Sequence, residues 1–104
     1  MMQYHPKKRI DIIVESPLLR ALIDTLDQAE VRGYSVLPIL KGRGMFNAWS
    51  SEGQVSDVAN MVALLCIVDP AQADRVIDAI FSAIRDRIGF VTLSDVSVIR
   101  PERF

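Results

Sequence analysis

The sequence predicts an α+β fold in which two helices lie on one face of a four-stranded antiparallel sheet. Three observations predict it: two amphipathic segments with matching start and stop signals, four β-rich runs around them, and the order β-α-β-(long loop)-β-α-β that results. This is the order of a ferredoxin-like sandwich, two half-units of similar design. With 104 residues, the chain reads as one domain, 1–104, large enough for a single core.

Taken in order, His5, Lys7, Lys8 and Arg9 read as a solvated lead-in to a first strand over Arg9–Glu15. Ser16 then supplies an N-cap and Pro17 a first helical position, with Gly33 as a left-handed cap beyond the far end. Between them Leu18, Leu19, Leu22, Ile23, Leu26 and Ala29 recur at helical spacing. The second strand covers Tyr34–Leu40 and the third Asn60–Val68. Asp69-Pro70 and Gly89 bracket the second helix, whose stripe is Ala73, Val76, Ile77, Ile80, Phe81 and Ile84. In the last strand, Phe90–Ile99, the apolar set changes phase between Leu93 and Val96, which predicts a bulge at Ser94-Asp95. The first and third strands read as apolar on both faces. Two helices cover only one face of such a sheet, so the chain is expected to bury the other against copies of itself.

Composition narrows the function. Half the residues are apolar, 24% are charged and the formal net charge is −1, which describes a globular chain and argues against nucleic acid as its partner. The apolar run from Met61 to Val68 is too short to span a bilayer and the N-terminus lacks signal-peptide form, so no membrane insertion is expected. One cysteine, Cys66, cannot make an intrachain disulfide; it reads as inert core in a cytoplasmic protein.

The connection from Lys41 to Asn60 is far longer than a hairpin needs, and loops of that length in small domains are functional or disordered. It opens with Lys41-Gly42-Arg43-Gly44. Two glycines can turn backbone N–H groups toward one point while the cations bind phosphate or carboxylate oxygens; the bland alternative is a flexible loop mouth. The loop is otherwise polar, with Phe46 and Trp49 placed for a partner, and is expected to carry little structure when empty. Gly33, Tyr34 and Ser35 at the start of the second strand offer a hydroxyl-lined wall, and Gly89-Phe90 a close-approach turn in the matching place after the second helix. The tail Arg100-Pro101-Glu102-Arg103-Phe104 is basic and either frays or folds onto a neighbouring subunit. No Cys/His cluster suits a metal and no catalytic constellation is present, so no enzyme activity is expected.

With these residues in place, the sequence resembles the PII signalling superfamily over nearly its whole length. The resemblance is carried by Gly33-Tyr34-Ser35-Val36, Lys41-Gly42-x-Gly44, Gly89-Phe90-Val91 and Arg100. Ser50-Ser51-x-Gly53-Gln54-x-Ser56-Asp57-x-x-Asn60 is most similar to PII-like proteins linked to inorganic-carbon uptake, those associated with bicarbonate transporters or carboxysomes. The resemblance implies a homotrimer with adenine-nucleotide sites between subunits and a T-loop, at about 41–59, that moves with the ligand. It implies nucleotide contacts from Gly33, Tyr34, Ser35, Lys41, Gly42, Arg43, Gly44, Gly89, Phe90, Arg100 and Arg103, with bicarbonate held by Lys41, Arg43 and Ser51. The implied protein partner is a bicarbonate transporter or carboxysome component. Where nitrogen-type relatives have arginine and glutamine this chain has Met45 and Phe46, which weighs against a 2-oxoglutarate response. The turn before the last strand lacks the lysine of the Gly-Asp-Gly-Lys pattern, which favours AMP or ADP over ATP, with ATP and cyclic AMP as the further candidate ligands. A divalent-cation tolerance trimer of the same fold is the alternative.

Overall fold

The computed structural model describes residues 2–43, 48–50, 60–87 and 89–100. Strand β1 spans His5–Glu15, followed by a 3₁₀ turn, Ser16–Leu18, and helix α1, Leu19–Gln28. Strand β2 is Tyr34–Pro38, the short strands β3 and β4 are Lys41–Arg43 and Ala48–Ser50, and β5 is Met61–Val68. Helix α2, Pro70–Ile84, and strand β6, Gly89–Val98, complete the chain. The sheet order is β2-β5-β1-β6 with every neighbouring pair antiparallel, which is the predicted ferredoxin-like topology.

Alternation along the two central strands makes the core. Ile10, Ile12 and Val14 of β1 are fully buried, beside Leu64 and Cys66 of β5. They pack with Leu22 and Leu26 of α1 and Ala73, Val76, Ile80 and Ile84 of α2. Each large aliphatic side chain so buried contributes about 1.5–3 kcal/mol. Both predicted stripes face this core, except that Phe81 is 61% exposed and lies outside it. The helix layer is narrower than the sheet: every residue of β2 is exposed, as are most of β6.

Several sequence expectations are corrected. The supposed lead-in is strand: His5 to Arg9 pair with Val98 to Ser94, and the Lys7 side chain, 11% exposed, is ion-paired with Asp69. Ser16 does not cap α1; it opens the 3₁₀ turn with Pro17, and its N–H donates to Asn60 O at 3.0 Å. The second strand stops at Pro38, which has no N–H to give and is tolerated because β2 is an edge. No bulge interrupts β6, whose register with β1 runs one-for-one from Gly89 to Val98. The phase change reflects plain alternation: Val91 packs toward the helices, while Val96 and Val98 sit on the opposite face. On β1 that opposite face is not purely apolar, since Arg9 and Asp11 stand there beside Ile13.

The end of α1 is also different from the expectation. The left-handed residue is Glu30, at φ 61°, and not Gly33. Glu30 N–H donates to Asp27 O at 3.1 Å and Val31 N–H to Leu26 O at 3.0 Å, the two bonds of a Schellman cap. Val31 and Leu26 join the same apolar cluster, the contact that normally accompanies that cap.

Two predictions follow from this packing. Glu30→Gly removes a Cβ from a left-handed position that costs about 1–2 kcal/mol, partly offset by the entropy glycine gains in the unfolded chain. Thermal unfolding should show a net gain of roughly 0.5–1 kcal/mol, whereas a fall in melting temperature would refute the assignment. Burial, with the Asp11 charge as a lesser cause, pushes the Cys66 thiol from 9.0 up to about 11. A raised acid keeps its proton in the fold, so its contribution is intact below pH 9 and is lost as pH rises through 11. Wild-type stability should decline across that window more steeply than that of Cys66→Val, as read by denaturant titration at each pH.

Candidate functional site

The sheet register decides where each predicted site residue stands. At one end lie the C-terminus of β1, the start of β5, the departure of the long loop after Pro38, and Gly89-Phe90 opposite Val14 and Ile13. At the other end lie His5 and, just beyond β6, Arg100; β2 begins part-way along, with Tyr34 level with Cys66, Ile10 and Leu93 near the middle of β6. The ten-residue strand β6 separates the ends by about 30 Å, and the four strands make a sheet about 15 Å wide. The candidates therefore lie apart on the two edges: Gly33, Tyr34 and Ser35 at one end of the short β2 edge, and Lys41, Gly42 and Arg43 past the other. Gly89 and Phe90 begin the β6 edge, and Arg100 follows its far end.

One protomer places the loop mouth and Gly89-Phe90 at the same end but on opposite edges, about 15 Å apart, with Gly33–Ser35 further along the β2 edge and Arg100 beyond the far end of β6. Gly44, Ser51 and Arg103 lie outside the described residues. Lys41 is exposed and Gly42 half-buried. Of the long loop the described residues are paired, Lys41, Gly42 and Arg43 antiparallel with Ser50, Trp49 and Ala48, while the expectation of little structure otherwise falls on residues outside those described. That ladder holds the backbone of the cationic segment extended at the loop mouth.

The two glycines have different physical roles. A Cβ on Gly89 would meet Ile13 O and a Val14 methyl carbon at 2.7 Å, so β6 reaches β1 only because this residue has no side chain. A Cβ on Gly33 would meet nothing within 4 Å. Nothing in its own protomer requires that glycine, and the open space beside it adjoins exposed Tyr34 and Ser35.

Three features escaped the sequence reading. A cavity of about 110 Å³ lies between the end of α1 and the start of α2, lined by Arg32, Asp69 and Gln72 among others. Its signal was faint: a single arginine before Gly33 and a polar first turn in α2. At the opposite end the Asn60 side-chain Oδ1 is buried with no hydrogen-bond partner among the described residues, an acceptor in need of a donor. A third, apolar groove of about 420 Å³ runs between α2 and β6, where Phe81, Phe90 and Leu93 meet. Among the described residues no cluster of His, Cys, Asp or Glu could hold a metal ion, and no helix is long and apolar enough to cross a membrane.

A family model described as nitrogen regulatory protein P-II matches residues 7–103. The chain belongs to the P-II family. Among solved structures it is similar to CPII, a nitrogen regulatory PII-like protein from Thiomonas intermedia K12. In its complex with ADP and bicarbonate, CPII matches with a TM-score of 0.84 and 26% identity, over 100% of this chain and 99% of that one. CPII bound to ADP, AMP and acetate gives 0.80 and 25%, over 99% and 98%. Bound to ADP, AMP and bicarbonate it gives 0.89 and 22%, over 100% and 98%, a likeness of fold. Comparison with curated proteins gives no match. The chain is thus a PII-like signalling protein, as the sequence resemblance implied.

The glycine contrast is directly testable. Gly89→Ala should destabilise the PII-like fold by about 1–3 kcal/mol, since the clash is with backbone. Gly33→Ala should be neutral or stabilise it by up to about 1 kcal/mol. Equal melting curves for the two variants would remove the distinction.

Proposed function

We propose that this PII-like protein is a non-enzymatic sensor, a single-domain homotrimer that binds an adenine nucleotide in clefts between protomers. AMP or ADP is the favoured ligand and bicarbonate its companion. The placement of the site residues on the two opposite edges of the sheet is the observation that carries this reading. Groups about 15 Å or more apart on one protomer can act on one ligand when a neighbour supplies the missing edge. Both sheet edges, β2 and β6, are exposed and free to meet edge to edge, and a head-to-tail contact of that kind closes into a ring. The CPII complexes with ADP, AMP and bicarbonate support the choice of ligands.

In this reading Gly33, Tyr34 and Ser35 of one protomer face the base and ribose. Lys41, Gly42, Arg43 and Gly44 of the T-loop, with Gly89 and Phe90, approach the phosphates, and Arg100 and Arg103 close the cleft. Lys41, Arg43 and Ser51 hold bicarbonate. The ligand fixes loop residues beyond the β3–β4 ladder, at about 1–2 kcal/mol for each residue ordered, and its charge-assisted bonds must exceed that cost. The ordered T-loop, at about 41–59, is the surface shown to a bicarbonate transporter or carboxysome component in the cytoplasm.

Calorimetry with AMP, ADP, ATP and cyclic AMP, each with and without bicarbonate, is the test. AMP and ADP should bind, and Lys41→Ala should weaken them roughly 10–100-fold, the value of a charged hydrogen bond. The melting temperature of that variant should not change. Absence of heat with every nucleotide would discard the proposal.

A further inference from the structure

We propose that the Arg9–Asp11 pair on the open face of the sheet selects and aligns a second copy of this chain. Each pair meets its counterpart, Arg9 of one copy donating to Asp11 of the next. The proposal rests on the assembly read above and assigns it a specificity element.

The register fixes the position of the pair. Ile10, Ile12 and Val14 point into the helix layer, so Arg9, Asp11 and Ile13 stand on the face the helices leave uncovered. Arg9 sits between Ile67 of β5 and Ser94 of β6, Asp11 between Leu65 and Thr92, and Ile13 between Ala63 and Phe90. At the height of the pair the face is apolar toward β5 and carries the hydroxyls of Thr92 and Ser94 toward β6, where Phe90 and Val96 flank them, with the ion pair on the central strand between.

The geometry of the pair leaves it half-used. Arg9 Nε lies 3.2 and 3.0 Å from the two carboxylate oxygens of Asp11, and Arg9 Nη2 is 3.0 Å from Oδ1. Of the five guanidinium N–H groups, those on Nη1 have no partner among the described residues, and one on Nη2 is to spare. Asp11 Oδ2 accepts one of these bonds and keeps capacity for another. Both side chains are still partly open to water, at 44% and 33%.

A surface that covers Leu65, Ile67 and Ala63 also strips water from this pair. Burying it with unmet donors is costly, so an apolar or mismatched surface is rejected. The occupant must bring a carboxylate and a guanidinium at matching height. A second copy of the chain brings both, one residue pair apart on one strand, and a rotation can set each Arg9 against the next Asp11. Apolar contact supplies the attraction and the charges supply the register.

Two measurements decide it. The first is carboxyl labelling of the wild-type protein with carbodiimide and glycine ethyl ester, read by mass spectrometry. Where light scattering reports an oligomer, Asp11 should react at least ~10-fold more slowly than exposed Asp24 and Asp78, and should gain reactivity on dilution. Labelling of Asp11 that ignores the assembly state would overturn the proposal, and no variant need fold for this reading. The second compares Arg9→Leu, Asp11→Leu and the swap Arg9→Asp/Asp11→Arg. Each single change should raise the concentration needed for assembly ~100-fold or more, because it leaves a lone charge to be buried; the swap should recover it to within ~10-fold. Single variants that assemble as tightly as an oligomeric wild type would sink the pair's role while the assembly stands. A monomeric wild type would remove the assembly itself, and this proposal with it. The nucleotide reading is judged separately, by calorimetry.

Discussion

The constraint on which the structure depends is a mismatch of widths. Two helices can cover the central strands β1 and β5, and they do so with side chains that are almost wholly buried. They do not reach the edges, so β2 is exposed along its whole length and β6 along most of it. The core is complete within one chain, yet the sheet is not. Its helix-free face carries Ala63, Leu65 and Ile67 on β5 and Leu37 on β2, a surface that favours company over water.

The same mismatch gives the candidate site its form. Chemistry-bearing residues sit where the chain leaves or joins the sheet, and in this topology those places lie along the two edges. In the proposed assembly each protomer would hold parts of sites rather than a whole one, and ligand binding and assembly would draw on the same residues. Gly89 and Gly33 differ at the level of single atoms. The first is required by its own protomer, where a Cβ would strike the β1 backbone. The second borders open space, where a Cβ would meet nothing within 4 Å.

Membership of the P-II family fits this economy of parts. Identity of 26% to CPII in one complex, with essentially full coverage of both chains, goes with the same fold at a TM-score of 0.84.

Periodicity was enough to determine the element order, both helix stripes, the sheet topology and the buried Cys66. Those features depend on side-chain alternation at 2 or 3.6 residues, which is written locally. The long loop and the glycines at its margins were equally legible, because a polar interruption between apolar runs needs no tertiary information. Tertiary structure alone decided the rest. The segment from His5 to Arg9 reads as a charged lead-in until β6 pairs along it and Asp69 takes the Lys7 ammonium. Gly33 looks like a cap until Glu30 is found in the left-handed position, held there by the contact of Val31 with Leu26. A bulge seems necessary in β6 until the register shows that its two ends bury opposite faces. In each case the deciding partner lies on another element, and local sequence carries no record of which element that will be.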